Sequence, residues 1–167
     1  PRLTSWIPVI RSISAGRLTK LAFECAIEGC FRFVSDVGGD FGNPPGLSPA
    51  FIARFDGSHW QSMGSGMDST VYALAALPNG HLIAGGEFTS PGAHIARWDG
   101  NTWSPLGAGV GGGNGFPTVH AIQSLGTDIF AGGDFTTGGG ARAARVARWN
   151  GSAWSPLASG LESANPA

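Results

Sequence analysis

The sequence predicts an all-β fold built from tandem repeats, each repeat contributing four short antiparallel strands. Three observations predict it. A doubled glycine followed by an acid and phenylalanine recurs at a constant interval of 47 residues, an Ile/Val-Ala-Arg-aromatic segment follows each copy, and a tryptophan stands five residues after that aromatic. Glycine, at 28 of 167 residues, is the commonest residue. A helical domain is disfavoured, since each glycine in a helix interior costs about 1 kcal/mol.

The signature positions of the repeat carry the same residue types in three units. The doubled glycines with their acids are Gly38, Gly39 and Asp40, then Gly85, Gly86 and Glu87, then Gly132, Gly133 and Asp134; the arginines are Arg54, Arg97 and Arg148; the tryptophans are Trp60, Trp103 and Trp154. We expect each arginine to pair with the acid of its own unit across adjacent strands. Because residues repeated in every unit usually hold the unit together, we assign all of them a structural role.

The four strands of a unit follow in a fixed order. The first strand is predicted at residues 71–74 and 119–122, and the second ends in the doubled glycine. The third strand is the Ile/Val-Ala-Arg-aromatic segment, and the fourth carries the tryptophan. Asp99-Gly100 and Asn150-Gly151 separate the last two strands, and such dipeptides favour hairpin turns because both residues tolerate positive φ.

The repeat also predicts the organisation of the chain. Residues 1–17 are expected to hold the last strand of a preceding unit and a linker, because Trp6-Ile7-Pro8-Val9 matches Trp103-Ser104-Pro105-Leu106. Three units follow at 18–66, 67–109 and 110–160, and residues 161–167 form a tail. We expect a distorted first unit, since extra residues lie around Cys25–Asp36: Leu18 precedes Gly38 by 20 residues, whereas Val71 precedes Gly85 by 14. Cys25 and Cys30 are compatible with a hairpin disulfide or with two free thiols.

Composition excludes several classes of function. The net charge is −1, so neither nucleic acid nor a membrane surface is indicated as a partner, and there is no apolar run long enough for a membrane span. The Gly-Gly-acid-Phe motif lacks the second acid of a diguanylate cyclase, and Gly111–Gly115 lacks the lysine of a phosphate-binding loop. His59, His81, His94 and His120 occupy different repeat positions. We therefore predict no catalytic residue, no metal site and no cofactor.

The combination Gly-Gly-Asp/Glu-Phe, Ile-Ala-Arg-Trp-Asp-Gly and Trp-Ser-Pro-Leu-Gly resembles the kelch repeat. It is more similar still to propeller repeats of secreted bacterial proteins and to the fungal cortical marker of cell polarity. The resemblance covers about Trp6 to Leu161 and implies a partial β-propeller of about three four-stranded blades, with an extracellular or cell-surface location. Closed propellers have about four to eight blades. We therefore expect a fragment whose remaining blades belong to the same chain, or self-association.

The function expected from these features is that of a non-catalytic structural or protein-interaction module of a larger protein. The loops between the second and third strands differ most between units, at Asn43-Pro44-Pro45-Gly46, Ser90-Pro91-Gly92 and Gly138-Gly139-Gly140, and such loops usually carry recognition. Two alternatives remain open. A carbohydrate-binding propeller predicts one exposed tryptophan per unit, and a fragment of a propeller enzyme predicts acids or histidines gathered at one end.

Overall fold

The computed structural model describes residues 19–23, 32–37, 51–55, 60–113 and 115–157. These residues form β-strands and no helix, which confirms the all-β prediction. In this part of the chain, accordingly, no helix long and apolar enough to cross a membrane is found. The predictions for Gly38, Gly39 and Asp40, for Cys25 and Cys30, and for the segments 1–17 and 161–167 lie outside the described residues.

The strands form three antiparallel sheets of four, each in simple sequential order. The first sheet contains β1 (Thr19–Phe23), β2 (Arg32–Val37), β3 (Ile52–Phe55) and β4 (Trp60–Ser62). The second contains β5 (Val71–Ala76), β6 (Leu82–Gly86), β7 (Ile95–Trp98) and β8 (Trp103–Pro105). The third contains β10 (Thr118–Leu125), β11 (Asp128–Asp134), β14 (Val146–Trp149) and β15 (Trp154–Pro156). The strand order predicted for one unit is therefore observed in each sheet.

A small ribbon accompanies the third sheet. It consists of β9 (Val110–Gly111), β12 (Thr137–Gly138) and β13 (Ala141–Arg142), with β12 in the centre. β9 precedes the first strand of the third sheet, whereas β12 and β13 lie between its second and third strands. No strand of the second sheet corresponds to them among the described residues.

The first sheet departs from the other two in its register. Ile95 lies opposite Gly85 in the second sheet, and Val146 lies opposite Gly132 in the third. Their counterpart Ile52 lies opposite Ser35, three residues before Gly38. In the first sheet Ser35 therefore takes the register position that Gly85 and Gly132 take in the other two sheets.

The apolar core lies in two layers between consecutive sheets. β5 contacts β2, and β10 contacts both β5 and β6. One layer, between the first and second sheets, includes Ile52, Met63, Leu74 and Trp98. The other, between the second and third sheets, contains the following buried residues: Leu77, Ile83, Ile95, Leu106, Val119, Ile129, Ala131, Ala147 and Trp154. The two central strands of the second sheet, β6 and β7, thus supply alternate residues to the two layers, as the period of a strand requires.

The doubled glycine is required by close contacts on both faces of the strand. A Cβ atom on Gly85 would lie 2.5 Å from Cγ1 of Val119 and 2.8 Å from Cδ1 of Ile122, both in the third sheet. A Cβ atom on Gly86 would collide with the carbonyl oxygen of Thr70, and Gly133 has the same relation to Thr118. The first glycine therefore permits the approach of the next sheet, and the second permits the pairing within its own sheet.

Trp103 and Trp154 connect the second and third sheets to the turn that ends the preceding sheet. The indole nitrogen of Trp103 donates to the carbonyl oxygen of Met63 at 2.9 Å, and that of Trp154 donates to Leu106 at 2.7 Å. Each of these rings also contacts the aromatic ring of its neighbouring third strand, with centroids 5.2 Å and 5.5 Å apart. The same interaction thus occurs at both junctions between sheets.

The predicted pairing of the repeated arginines with the acids after the glycines is wrong where the structure tests it. Arg148 lies opposite Phe130, and its guanidinium binds Asp128, not Asp134, with an Nη2–Oδ2 distance of 2.7 Å. Asp134 is four residues from Phe130, about 13 Å along the strand. Asp128 is only two residues away and shares the face of Arg148.

The other two arginines have different surroundings. Arg97 lies opposite Ile83, again four residues from the acid Glu87, which binds elsewhere. Arg54 donates to the side-chain oxygen of Gln61 on β4. Among the described residues, Arg97 and Arg148 therefore do not share a common ion pair.

We predict that Gly85→Ala lowers the free energy of unfolding by about 1–3 kcal/mol, because a methyl group there overpacks the contact with Val119. The matched control is Gly132→Ala at the equivalent position of the third sheet. Its nearest heavy atom, the carbonyl oxygen of Arg145, is 3.9 Å away. Urea unfolding followed by tryptophan fluorescence measures both variants, and equal losses would contradict the proposed role of Gly85.

Candidate functional site

Two loops are longer in the third unit than in the second. Gly66 and Thr70 are four residues apart, whereas their equivalents Gly109 and Thr118 are nine apart. The loop between the second and third strands grows in the same way, since Gly86 and Ile95 are nine residues apart whereas Gly133 and Val146 are thirteen apart. The inserted residues pair with each other, because Thr137 lies opposite both Gly111 and Arg142 in the ribbon.

In the second unit a single carboxylate connects the two shorter loops. Asp68 accepts hydrogen bonds from the backbone nitrogens of Thr89 and Ser90 at 2.7 Å and 3.0 Å, and from the Thr89 hydroxyl at 2.6 Å. Burial alone would raise the pKa of Asp68, but these hydrogen bonds outweigh it and lower the pKa below its usual value. In the third unit the carbonyl oxygen of Gly111 connects the two loops instead. It accepts a hydrogen bond from the backbone nitrogen of Thr136 at 2.9 Å.

A pocket of about 260 Å³ lies beside the ribbon. We call it the ribbon pocket, and its lining residues are Gly113, Gly115, Phe116, Asp134, Phe135, Thr136 and Arg145. The Phe116 side chain is 91% exposed, although most phenylalanines are buried in proteins. An open aromatic ring therefore stands next to a guanidinium and a carboxylate.

The polar side chains beside the pocket are presented by β-bulges. Tyr72 and His120 are each the extra residue where the register of the first strand shifts against the second. The Tyr72 hydroxyl donates to Oε1 of Glu87 at 2.9 Å, and Nε2 of His120 lies 3.1 Å from Oδ2 of Asp134. Each bulge residue thus binds the acid that follows the doubled glycine of its own unit, which explains why that position is acidic in both units.

The two pairs form one continuous row across the junction of the second and third sheets. The rings of Tyr72 and His120 have centroids 5.4 Å apart. At the other end of the row, Arg145 Nη1 lies 3.7 Å from Asp134. Burial, followed by the hydrogen bond to Glu87 and its charge, raises the pKa of Tyr72, so that its phenol stays protonated and donates. The row ends at the ribbon pocket.

The residue before the third strand has a left-handed backbone in every sheet. Phe51, His94 and Arg145 have φ values of 52°, 63° and 65°. In the second and third units this residue closes the loop: His94 donates its N–H to Phe88 and accepts from Gly86, and Arg145 makes the equivalent bonds to Phe135 and Gly133. The backbone is therefore fixed here while the side chain differs between units.

The side chains at this position have opposite environments in the second and third units. His94 is only 8% exposed, and its Nδ1 has no hydrogen-bond partner. Burial lowers its pKa below the usual 6.5, an effect that the nearby Glu87 and Asp68 only partly oppose. Arg145 is largely exposed and lines the ribbon pocket. The third unit thus directs to the surface a side chain that the second unit buries.

The structure places most of the predicted signature residues in the scaffold. Gly85 and the tryptophans at 103 and 154 pack sheets together, Gly86 and Gly133 permit the strand pairing within their own sheets, and Glu87 and Asp134 take part in the row. Sequence reasoning missed Tyr72, Phe116 and Arg145. The unequal loop lengths of the second and third units were a usable signal for the ribbon, whereas Arg145 had none, because no residue type is repeated at its position.

Among the described residues there is no group of three or more His, Cys, Asp or Glu able to hold a metal ion. His59 lies outside these residues, and His81, His94 and His120 do not form a common cluster.

Comparison with protein-family models gives no match, and comparison with curated proteins gives none either.

We predict that His94 makes the protein less stable in acid. Because its pKa is lowered in the folded state, the unfolded chain binds the proton more readily. The free energy of unfolding is therefore unaffected by His94 above its unfolded pKa of about 6.5. It decreases as the pH falls below that value towards the folded pKa, because the unfolded chain takes up the proton first. His94→Asn, which tolerates the left-handed backbone, should reduce the loss of stability between pH 7.5 and pH 5.

Urea unfolding at a series of pH values measures this effect. The control Ala108→Ser, at an exposed position that carries no ionisable group, should keep the slope of the unmodified protein. An unchanged slope in His94→Asn would contradict the assignment.

Proposed function

We propose that the chain is a segment of a β-propeller and acts as a non-catalytic interaction module, binding a protein ligand at the ribbon pocket. The propeller is supported by the equivalent packing at both junctions: the same tryptophan-to-carbonyl bond recurs in successive sheets. Within this scaffold the third unit carries a ribbon that has no counterpart in the second unit among the described residues, and a pocket lies beside it. Because the second unit folds without such a ribbon, the ribbon is not required for the packing of the sheets and is a candidate for recognition.

The observation that carries the binding proposal is the composition of the ribbon pocket. Phe116 is almost fully exposed, Arg145 is largely exposed, and Asp134 and His120 lie beside them. Aromatic residues and arginine are the types that contribute most to protein–protein interfaces. The carboxylate of Asp134 also offsets the positive charge of Arg145. The pocket therefore offers an aromatic ring and hydrogen-bond donors with little net charge.

The carbohydrate alternative has less support. It required one exposed tryptophan in each unit, whereas Trp98 and Trp154 are buried and Trp103 and Trp149 are partly buried. The indole nitrogens of Trp103 and Trp154 already donate to backbone carbonyls. Among the tryptophan side chains that the structure describes, none is therefore exposed in the way that this alternative predicts.

One observation favours the enzyme alternative as a second candidate. Glu87, Tyr72, His120 and Asp134 gather at one end of adjacent sheets, as that alternative predicts. Each acid is engaged by its bulge residue, however, and neither pair is in contact with a nucleophilic side chain among the described residues. Turnover of ester and glycoside substrates that is abolished by His120→Asn would establish this alternative.

The binding proposal predicts that peptides selected from a random display library on the intact chain depend on Phe116. Phe116→Ser should weaken their affinity at least about tenfold, because removal of a central aromatic contact commonly costs 2 kcal/mol or more. Calorimetric titration measures the affinity, and a urea unfolding curve establishes that the variant remains folded.

The matched control is Leu125→Ser, which removes another exposed apolar side chain at the opposite end of β10. It should leave peptide affinity unchanged. Equal affinities for the unmodified chain and Phe116→Ser, or ligands confined to a glycan array, would overturn the proposal.

A further inference from the structure

The third sheet has one face on the second sheet and an outer face that no described residue covers. This outer face is formed by the residues that point away from the second sheet, namely Ala121, Gln123, Leu125, Phe130, Gly132, Val146, Arg148 and Leu157. Most of them are apolar or glycine. Leu125 and Leu157 are two of the three large hydrophobic residues with the greatest exposure among the described residues, the third being Phe116.

The equivalent face of the second sheet is covered by β10. Leu77 is 9% exposed there, whereas its equivalent Leu125 is 71% exposed. Leu106 is 3% exposed, whereas its equivalent Leu157 is 43% exposed. The same strand positions therefore carry the same residue type in both sheets, and only the presence of a following sheet distinguishes them.

Gly132, the glycine of the outer face, can be compared directly with Gly85 of the second sheet. On the second sheet, Gly85 leaves the space into which Val119 and Ile122 fit. On the third sheet, Gly132 has the same place in the strand, opposite Val146 as Gly85 is opposite Ile95. A Cβ atom on Gly132 would meet only one atom, at 3.9 Å. The space is present and nothing described fills it.

We propose that the outer face of the third sheet is a docking surface for one further four-stranded unit of this same repeat. The first strand of that unit presents a valine and an isoleucine three residues apart, as Val119 and Ile122 do, over Gly132. The kind of unit that docks there follows from the junction between the second and third sheets. At that junction β10 places Val119 and Ile122 over Gly85, on the equivalent surface of the second sheet.

Two departures from the second sheet define what the docked unit must accommodate. Gln123 stands where the second sheet has the buried Ala75, and its amide donates to the carbonyl oxygen of Ser124 at 2.9 Å. Arg148 is held to Asp128 at the edge of the face. Both polar groups are already hydrogen-bonded, so docking leaves fewer of their donors unsatisfied.

The test supplies the occupant within one chain. A second copy of residues 110–160 is added to the full chain directly after Gly160, where Leu157-Ala158-Ser159-Gly160 matches Leu106-Gly107-Ala108-Gly109. Gly132→Ala is then introduced only in the original unit of the chain and of the extended protein. In the original chain we expect no loss of stability. In the extended protein we expect the folding equilibrium constant to fall about ten- to a hundredfold, as overpacking at a closed junction does.

Two controls accompany the measurement, which is urea unfolding in both proteins. Ala108→Ser places in the second unit the residue that stands as Ser65 in the first, and it should be neutral in both proteins. Gly85→Ala should be destabilising in both. The proposal is overturned if Gly132→Ala remains neutral in the extended protein, or if the added unit unfolds in a separate transition. Phe116→Ser should not alter this readout, so the outcome is independent of ligand binding at the ribbon pocket.

Discussion

The contact between Gly85 and the pair Val119 and Ile122 brings the third sheet into close packing with the second. At this junction the indole nitrogen of Trp154 donates to the carbonyl oxygen of Leu106, and Ile83 and Ile95 are fully buried. The burial of apolar area between sheets supplies the main driving force, since a single four-stranded sheet has no partner for either of its faces. The absence of a side chain at Gly85 therefore allows the second and third sheets to pack over an extensive apolar surface.

Much of the fold could be predicted from the sequence because its strands are local. The repeat period, the alternation of side chains and the Asp-Gly and Asn-Gly turns each involve residues close together in the chain. Asp99 illustrates the last of these. Its carboxylate accepts hydrogen bonds from the backbone of Thr102 and Asn101 and from the Thr102 hydroxyl, which lower its pKa to about 2. The pairing of arginines with acids could not be predicted in the same way, because a shared period does not establish that two side chains occupy the same end of a strand.

The candidate site was harder to predict, for physical reasons that differ between its parts. The ribbon arises from pairing of Val110 and Gly111 with residues more than twenty positions later, in segments whose glycines suggest only irregular loops. Tyr72 and His120 owe their direction to bulges, and a bulge depends on how two strands are aligned. The pocket-lining Arg145 takes its place from a left-handed backbone that Phe51 and His94 share, so its position is determined by the loop and not by its own residue type.

The glycine contact also bears on how such a chain can evolve. Gly85 and Val119 belong to different units and lie 34 positions apart, yet the volume permitted at one is set by the volume present at the other. A larger residue at the first position is acceptable only with a smaller one at the second, so the two sites must covary. Neighbouring units consequently cannot diverge as independent modules, and sequence drift within one unit is constrained by the inherited residues of the next.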